Sequence, residues 1–265
     1  MSDLAEPRPP VLVCAGLDPS GGAGFIADVR VVHLLGGRPV GAITAQTVQN
    51  TAGLRSIHEV DADVLDVQLN ALLTDIEIKA IKLGMLGGPD IVRVLDAAFA
   101  MTQAPLVWDP IAAPTHGAAT VPREALDQAM SRLAAHLTLI TPNGPELAML
   151  LGRRLHSMTE AIAGAEELAQ RSGIAVLLKG GHLIAPEADE VVDVLIHDGG
   201  KQERFVGPRI AGASVHGTGC ALSSAIATYL ALGHSLVDAC RAAKLFVAAH
   251  LARPVTPGRG APAIL

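Results

Sequence analysis

From Val11 to Leu251 short apolar runs alternate with stretches of helical period, and no feature restricts the fold more. Val11–Gly16 reads as a buried strand. A Gly-rich turn and a helix from Gly22 to Leu35 follow, with Phe25, Val29 and Val32 on one face and Gly36-Gly37 as the stop. Val40–Ala45 reads as a second strand. Asp61 caps a helix that carries Leu65, Leu69 and Leu72 on one face, and Ile76–Leu83 is strand-like again. Helix 89–101 pairs with strand 105–109, and helix 122–135 with strand 137–141. A helix starts just after Asn143, and the capping box Ser157-Met-Thr-Glu160 opens another that reaches Gln170. Ile174–Lys179 is the next strand. Segments 191–197 and 202–207 form a hairpin around Asp198-Gly199-Gly200, and two helices follow, from Gly217 and from Ser235.

Alternation of this kind predicts an α/β fold: one domain over residues 1–265, a mostly parallel central sheet flanked by helices, and a flexible leader at 1–9. Half of the residues are hydrophobic but only 2% are aromatic, so the core has to be aliphatic. The net charge of -6 comes without a basic block, which argues against a nucleic-acid partner. No apolar run reaches the roughly 18 residues of a membrane span, and MSDLAEPRPP has no apolar signal core, so a soluble cytoplasmic protein is expected. Cys14, Cys220 and Cys240 are odd in number and far apart, which fits neither a disulfide framework nor a zinc knuckle. His33, His58, His136 and His250 lack metal-ligand spacing and read as surface or satisfied core residues.

Four stretches carry candidate chemistry, each just after a predicted strand or at a helix start. Gly16-Leu-Asp-Pro-Ser-Gly-Gly-Ala-Gly24 lets backbone approach a ligand, although a tight βα turn has the same composition. It is neither a Walker A nor a dinucleotide fingerprint. Asp18 and Asp28 are its polar handles, or else a turn residue and a solvated helix residue. Asp109 ends the run Leu106-Val-Trp-Asp109 before Pro110-Ile111, as a metal- or phosphate-binding carboxylate or as a turn aspartate. Asn143 and Glu146, at i and i+3, suit either a Mg²⁺-bound water or a capping box. Gly217, Thr218 and Gly219 precede an apolar helix, where free amides and the helix dipole make an anion hole. Cys220 beside them is either a thiol whose pKa is lowered by the helix start or an inert core cysteine.

In this order the stretches resemble the ribokinase-like kinases, and more narrowly the hydroxymethylpyrimidine and phosphomethylpyrimidine kinases of thiamine biosynthesis. The matching segments are "AGLDPSGGAGFIADV", "ITAQTVQNTAG", "KLGMLGGPDIV", "VWDPI", "LITPNGPELAMLLG", "LLKGGH" and "HGTGCALSSAIA". The resemblance implies an ATP-dependent phosphotransferase that acts on the alcohol and then on its monophosphate. It implies that Cys220 faces the reacting hydroxyl and that Gly217, Thr218 and Gly219 form the anion hole. Asp109, Asn143, Glu146 and Lys179 then lie on the ATP side, with Mg²⁺ held at Asp109 and Glu146 through water or phosphate. Gly16, Gln49, Met85 and Ile111 contact the pyrimidine. A homodimer is implied in the same way. The segment Ala112–Gly117 lacks the lysine and serine of the family's flap, and Ser214-Val215 replaces a polar Asn/Asp-Thr pair. Pyridoxal or pyridoxine kinase of the same fold is the alternative activity, and a non-catalytic ligand-binding descendant the alternative class.

Overall fold

The structure is a computed structural model that describes residues 8–111, 123–182, 189–210 and 215–265, with no statement of the His182 side chain. Its elements are β1 (Pro10–Leu17), α1 (Gly24–Leu34), β2 (Arg38–Asn50), β3 (Gly53–Glu59), α2 (Ala62–Asp75), β4 (Ala80–Leu83), α3 (Pro89–Phe99), β5 (Leu106–Trp108), α4 (Arg123–Arg132), β6 (Leu137–Ile140), α5 (Gly144–Leu151), α6 (Met158–Ser172), β7 (Ala175–Leu178), β8 (Glu190–His197), β9 (Lys201–Pro208), α7 (Thr218–Ala231) and α8 (Leu236–Leu251). They form one nine-stranded sheet in the order β3-β2-β1-β4-β5-β6-β7-β8-β9. The run from β2 to β7 is parallel, with β3 antiparallel on one edge and the β8–β9 hairpin antiparallel on the other. This is the expected α/β architecture.

Both faces of the sheet are covered, which is why its strands are apolar without strict alternation. On one face Leu12, Cys14, Ile81, Leu83, Trp108 and Ile140 pack under α2 to α6. On the other, Val11, Val13, Ala15, Val107 and Leu139 pack under α1, α7 and α8. Chain order reverses between β1 and β4, so the loops after these two strands flank the crevice where doubly wound sheets bind ligands.

Several boundaries differ from expectation, each for a local reason. β2 runs on to Asn50 and turns back as β3, a strand missing from the expected set; beyond Ala45 every residue of β2 but Val48 is polar and only Thr47 is buried, because this part leaves the covered part of the sheet. β4 starts only at Ala80, since Ile76 to Lys79 lie before the paired strand, with bends at Ile76 and Lys79. α4 ends at Arg132 and gives way to a 3₁₀ turn at 134–136. Helix α1 starts at Gly24 and buries Ala27, Asp28, Val31 and Val32, leaving Phe25 and Val29 only half-buried. The Ser157 hydroxyl caps Glu160 N–H as expected, but Glu160 reaches back to the His156 N–H instead of to Ser157. Of the leader, 1–7 lie outside the described residues, and the Pro9 carbonyl accepts the Arg38 N–H at 2.9 Å. Asp61 and Ser235 cap their helices as read, and Cys14, Cys220 and Cys240 are free and buried.

Asp28 is not a solvated residue. Fully buried, it makes an ion pair with the equally buried Lys82 of β4 and accepts the Ser224 hydroxyl of α7 at 2.8 Å. Burial alone would lower the Lys82 pKa, but the attraction of Asp28, with Asp109 adding to it, holds it above that of an ordinary lysine. Removing one partner strands a charge, so Asp28→Ala should cost about 3–5 kcal/mol, while Asp28→Leu combined with Lys82→Met should recover most of it. Urea denaturation of the two variants checks both values.

Candidate active site

The six parallel strands end on the same edge, and the loops after β1, β5, β6 and β7 meet there. After β1 the Gly-rich loop folds round Asp18, whose Oδ1 accepts the Ser20 N–H and hydroxyl at 2.8 Å each and whose Oδ2 accepts the Ala23 N–H at 3.1 Å. Burial pushes the Asp18 pKa up, but hydrogen bonds from His216 and Ser20 outweigh it and leave the carboxyl below its usual range. After β5 comes Asp109, 1% exposed; its Oδ1 accepts Lys179 Nζ at 2.7 Å and the Thr141 hydroxyl at 3.2 Å.

Asn143 caps α5. Its side-chain oxygen accepts the Glu146 N–H at 2.9 Å, and Glu146 returns a carboxylate oxygen to the Asn143 N–H at 2.7 Å. The structural reading of this pair therefore holds, and Glu146 adds a second contact: its carboxylate lies 3.3 Å from Lys179 Nζ. Lys179 thus stands between two carboxylates. Burial alone would lower its pKa, and Asp109 and Glu146 reverse that and raise it. For Glu146, burial outweighs Lys179 and raises the pKa, with Asp109 pushing the same way. The next residue in the loop is anchored too, since Gly180 N–H donates to the buried Asp193 at 2.9 Å and Asp193 pairs with Lys244 at 2.7 Å.

The start of α7 enters this array. Gly217, its N-cap, has φ +84°, and a Cβ there would collide with the Gly22 carbonyl of the first loop. A Cβ on Gly219 would stand 3.2 Å from Asp109 Oδ2 and 3.3 Å from Lys179 Nζ. No side chain caps this helix end and its first turn holds no acidic residue, so its leading amides have no side-chain acceptor of their own. The only hydroxyl of the turn, that of Thr218, goes to the Val215 carbonyl at 3.0 Å. Four stretches that are distant in sequence therefore meet within contact distance.

Cys220 departs from the expectation of a lowered pKa. Burial pushes it up to about 12, against the pull of the Lys82 ammonium and the Gly24 N–H, while Asp28 and Asp109 push it further up. The helix dipole is too weak to offset a side chain only 5% exposed.

Among the expected pyrimidine contacts, Gly16 and Met85 meet across the β1–β4 crevice: a Cβ on Gly16 would lie 3.1 Å from Met85 Sδ. Thr44, the extra residue at the β1–β2 register shift, fixes the Met85 carbonyl with its hydroxyl at 2.5 Å. Ile111 follows Asp109 in a tight turn, its N–H on the Asp109 carbonyl at 2.8 Å. Gln49, half-buried in β2, meets His216, whose Nε2 is 3.0 Å from Gln49 Nε2 and 3.0 Å from Asp18 Oδ2. The flap at 112–117 and Ser214 lie outside the described residues.

Sequence reading missed His216 and Lys82. His216 stood inside a recognised motif with no spacing to mark it. Lys82 did leave a signal: it is the lone charge in the buried strand Ala80-Ile-Lys-Leu83. Among the described residues no three His, Cys, Asp or Glu side chains cluster as a metal site, and no helix is long and apolar enough to cross a membrane.

A doubly wound sheet with an open helix start, two carboxylates and a bridging lysine at its switch-point edge has the architecture of the ribokinase-like small-molecule kinases. Comparison with known proteins narrows this. Residues 18–264 match the family model described as phosphomethylpyrimidine kinase, and the chain belongs to that family. It is 36% identical over 249 residues to the hydroxymethylpyrimidine/phosphomethylpyrimidine kinase of Streptomyces coelicolor, covering 92% of this chain and 91% of the relative. It is 40% identical over 260 residues to a thiamine biosynthesis bifunctional protein of Geobacter sulfurreducens, covering 96% of this chain but only 52% of that longer relative. Among solved structures, the pyridoxal kinase of Staphylococcus aureus in complex with ADP superposes with a TM-score of 0.86 at 27% identity, covering 97% of this chain and 92% of that one.

With all three thiols buried and each pushed up to about 12, none should react with Ellman's reagent at pH 8 until the protein unfolds. A fast-reacting thiol that disappears in Cys220→Ala would contradict this account of the site.

Proposed function

We propose that this chain is a kinase that transfers the γ-phosphoryl group of ATP to hydroxymethylpyrimidine and then to its monophosphate, for thiamine biosynthesis. The observation that carries the reading is the uncapped start of α7 set against the Asp109–Lys179–Glu146 array, since it offers a phosphate both backbone donors and a fixed cation. Family membership supplies the pyrimidine as acceptor.

In this reading the amides of Thr218, Gly219 and Cys220 receive the charge that spreads over the phosphoryl oxygens, and Lys179 holds the nucleotide phosphates. Asp109 and Glu146 are hard oxygen donors that flank Lys179, a set that fits Mg²⁺ completed by phosphate and water. When bound, the ion supplies charge neutralisation at the phosphates. Asn143 has a structural part, holding Glu146 at the helix start. Cys220 is protonated at neutral pH, so it acts as a hydrogen-bond partner that aims the substrate hydroxyl and not as a ready-made base. A loose phosphoryl-transfer transition state demands little more. Gly16, Met85, Ile111 and Gln49 seat the ring. The setting is the cytoplasm, where ATP is the co-substrate, with small molecules as ligands and a homodimer as the assembly.

Likeness to a pyridoxal kinase keeps vitamin B6 alcohols as the second reading. ADP release from MgATP with hydroxymethylpyrimidine, its monophosphate and pyridoxal in turn decides between them. Turnover of the pyrimidines is expected; turnover confined to pyridoxal would move the chain to the second reading, and no turnover with any would leave a binding protein. Misaiming the hydroxyl should lower kcat of Cys220→Ala by ~10²-fold, with Cys220→Ser losing less than about tenfold. Lys179→Met, which leaves two carboxylates facing each other, should lose ~10²- to 10³-fold.

A further inference from the structure

The hydrogen-bond directions around Gln49 are fixed from both ends. Asp18 is a carboxylate held below its usual pKa, with Oδ1 taken by Ser20 and Oδ2 already accepting from Ala23 N–H. It can only accept, so the His216 Nε2 that lies 3.0 Å from Oδ2 must carry the proton. The Gln49 atom set 3.0 Å from that ring nitrogen is Nε2, a donor against a donor, and turning the amide end for end places its carbonyl oxygen there instead, so that the ring N–H is shared between two acceptors.

Thr47 leads to the same orientation independently. Its hydroxyl proton is given to the Leu17 carbonyl at 2.7 Å, so the Gln49 Oε1 set 3.5 Å from that hydroxyl meets only a lone pair. The turned amide removes this mismatch by placing its NH₂ there. His216 is in turn locked by backbone: its N–H donates to the Pro262 carbonyl at 2.8 Å, and its carbonyl accepts the Ile264 N–H at 3.1 Å. Its ring also lies against Gly22, where a Cβ would come within 2.9 Å of His216 Cδ2.

We propose that His216 is a positioning residue for substrate selection: relayed from Asp18, its Nε2–H turns the Gln49 amide so that one N–H and one carbonyl lone pair are left to face the ring. The inference rests on the kinase reading above. An amide so presented matches an edge with a ring nitrogen acceptor beside an exocyclic amine donor, as in an aminopyrimidine. It mismatches a pyridine edge that carries an aldehyde and a phenolate oxygen, both acceptors, because the Gln49 carbonyl then faces an acceptor. His216 touches no reacting atom in this arrangement, so its loss acts on recognition and leaves the transfer step itself little altered.

Two measurements test this. Long-range ¹H–¹⁵N spectra of the ligand-free protein should show His216 protonated at Nε2; a ring protonated at Nδ1 alone would overturn the proposal whatever the enzyme turns over. In steady-state kinetics, His216→Phe should raise KM for hydroxymethylpyrimidine by about tenfold to a hundredfold, with a much smaller change in kcat and little change in KM for pyridoxal. His216→Gln, whose Nε2 lies the same number of bonds from Cβ as that of histidine, should restore most of the preference. An equal loss for both substrates, or a loss in kcat alone, would reduce His216 to a structural residue. If the wild type turns over no pyrimidine, the kinase reading fails, and the nitrogen spectrum still decides the orientation of the Asp18–His216–Gln49 relay.

Discussion

The ion pair between Asp28 and Lys82 is the contact on which the site depends, because it joins three elements in a place no solvent reaches. Lys82 belongs to β4, Asp28 to α1, and Ser224, which donates to Asp28, to α7. An ammonium in the middle of an aliphatic sheet is tolerable only with its counter-charge in place. Helices α1 and α7 are therefore fixed to the central strand at a defined height. That height sets where Gly219 and Gly217 arrive, between about one and two turns before Ser224, and so where the start of α7 meets Asp109 and Lys179. Leucine and valine packing alone would hold the helices on the sheet but would tolerate small axial slips.

Seen from this pair, the charges of the crevice alternate in space. Asp28 and Lys82 lie lowest, Asp109 and Glu146 stand above with Lys179 between them, and the open end of α7 supplies the partial positive charge on which the array closes. Such an order leaves the site ready for a polyanion without an exposed basic patch, in keeping with a chain whose net charge is -6. It also explains the thiol. Cys220 sits where the helix dipole and Lys82 favour a thiolate, yet it is shut away so fully that neutral sulfur is the outcome.

How much of this could be read in the sequence depends on the range over which each residue is determined. Caps are local, so Asp61, Asn143, Ser157 and Ser235 were legible from three or four neighbours. The parallel sheet was legible because strands covered on both faces must be continuously apolar. β3 was not, since an edge hairpin outside the core needs no apolar pattern. In the site, the Gly-rich loops, Asp109 and the start of α7 could be placed from strand ends alone. The burial of Asp28 could not, because its partner stands 54 positions away; nor could the role of His216, whose partners Asp18 and Gln49 are set by the fold. The two readings of Cys220 could not be separated for the same reason: local sequence shows the dipole but not the depth, and burial decides for the raised pKa.

The stretch from Val255 to Ile264 crosses between the β2–β3 turn, where Thr51 holds Gly260 and Ala261, and the strand-like pairing with His216. A chain made from its N-terminus outward therefore has every strand and helix of the fold synthesised before residues 262 to 264, which brace His216. During synthesis the backbone clamp on His216 is the last of these contacts to become possible. On the proposed reading, choosing between heterocycles is the last capacity the chain acquires.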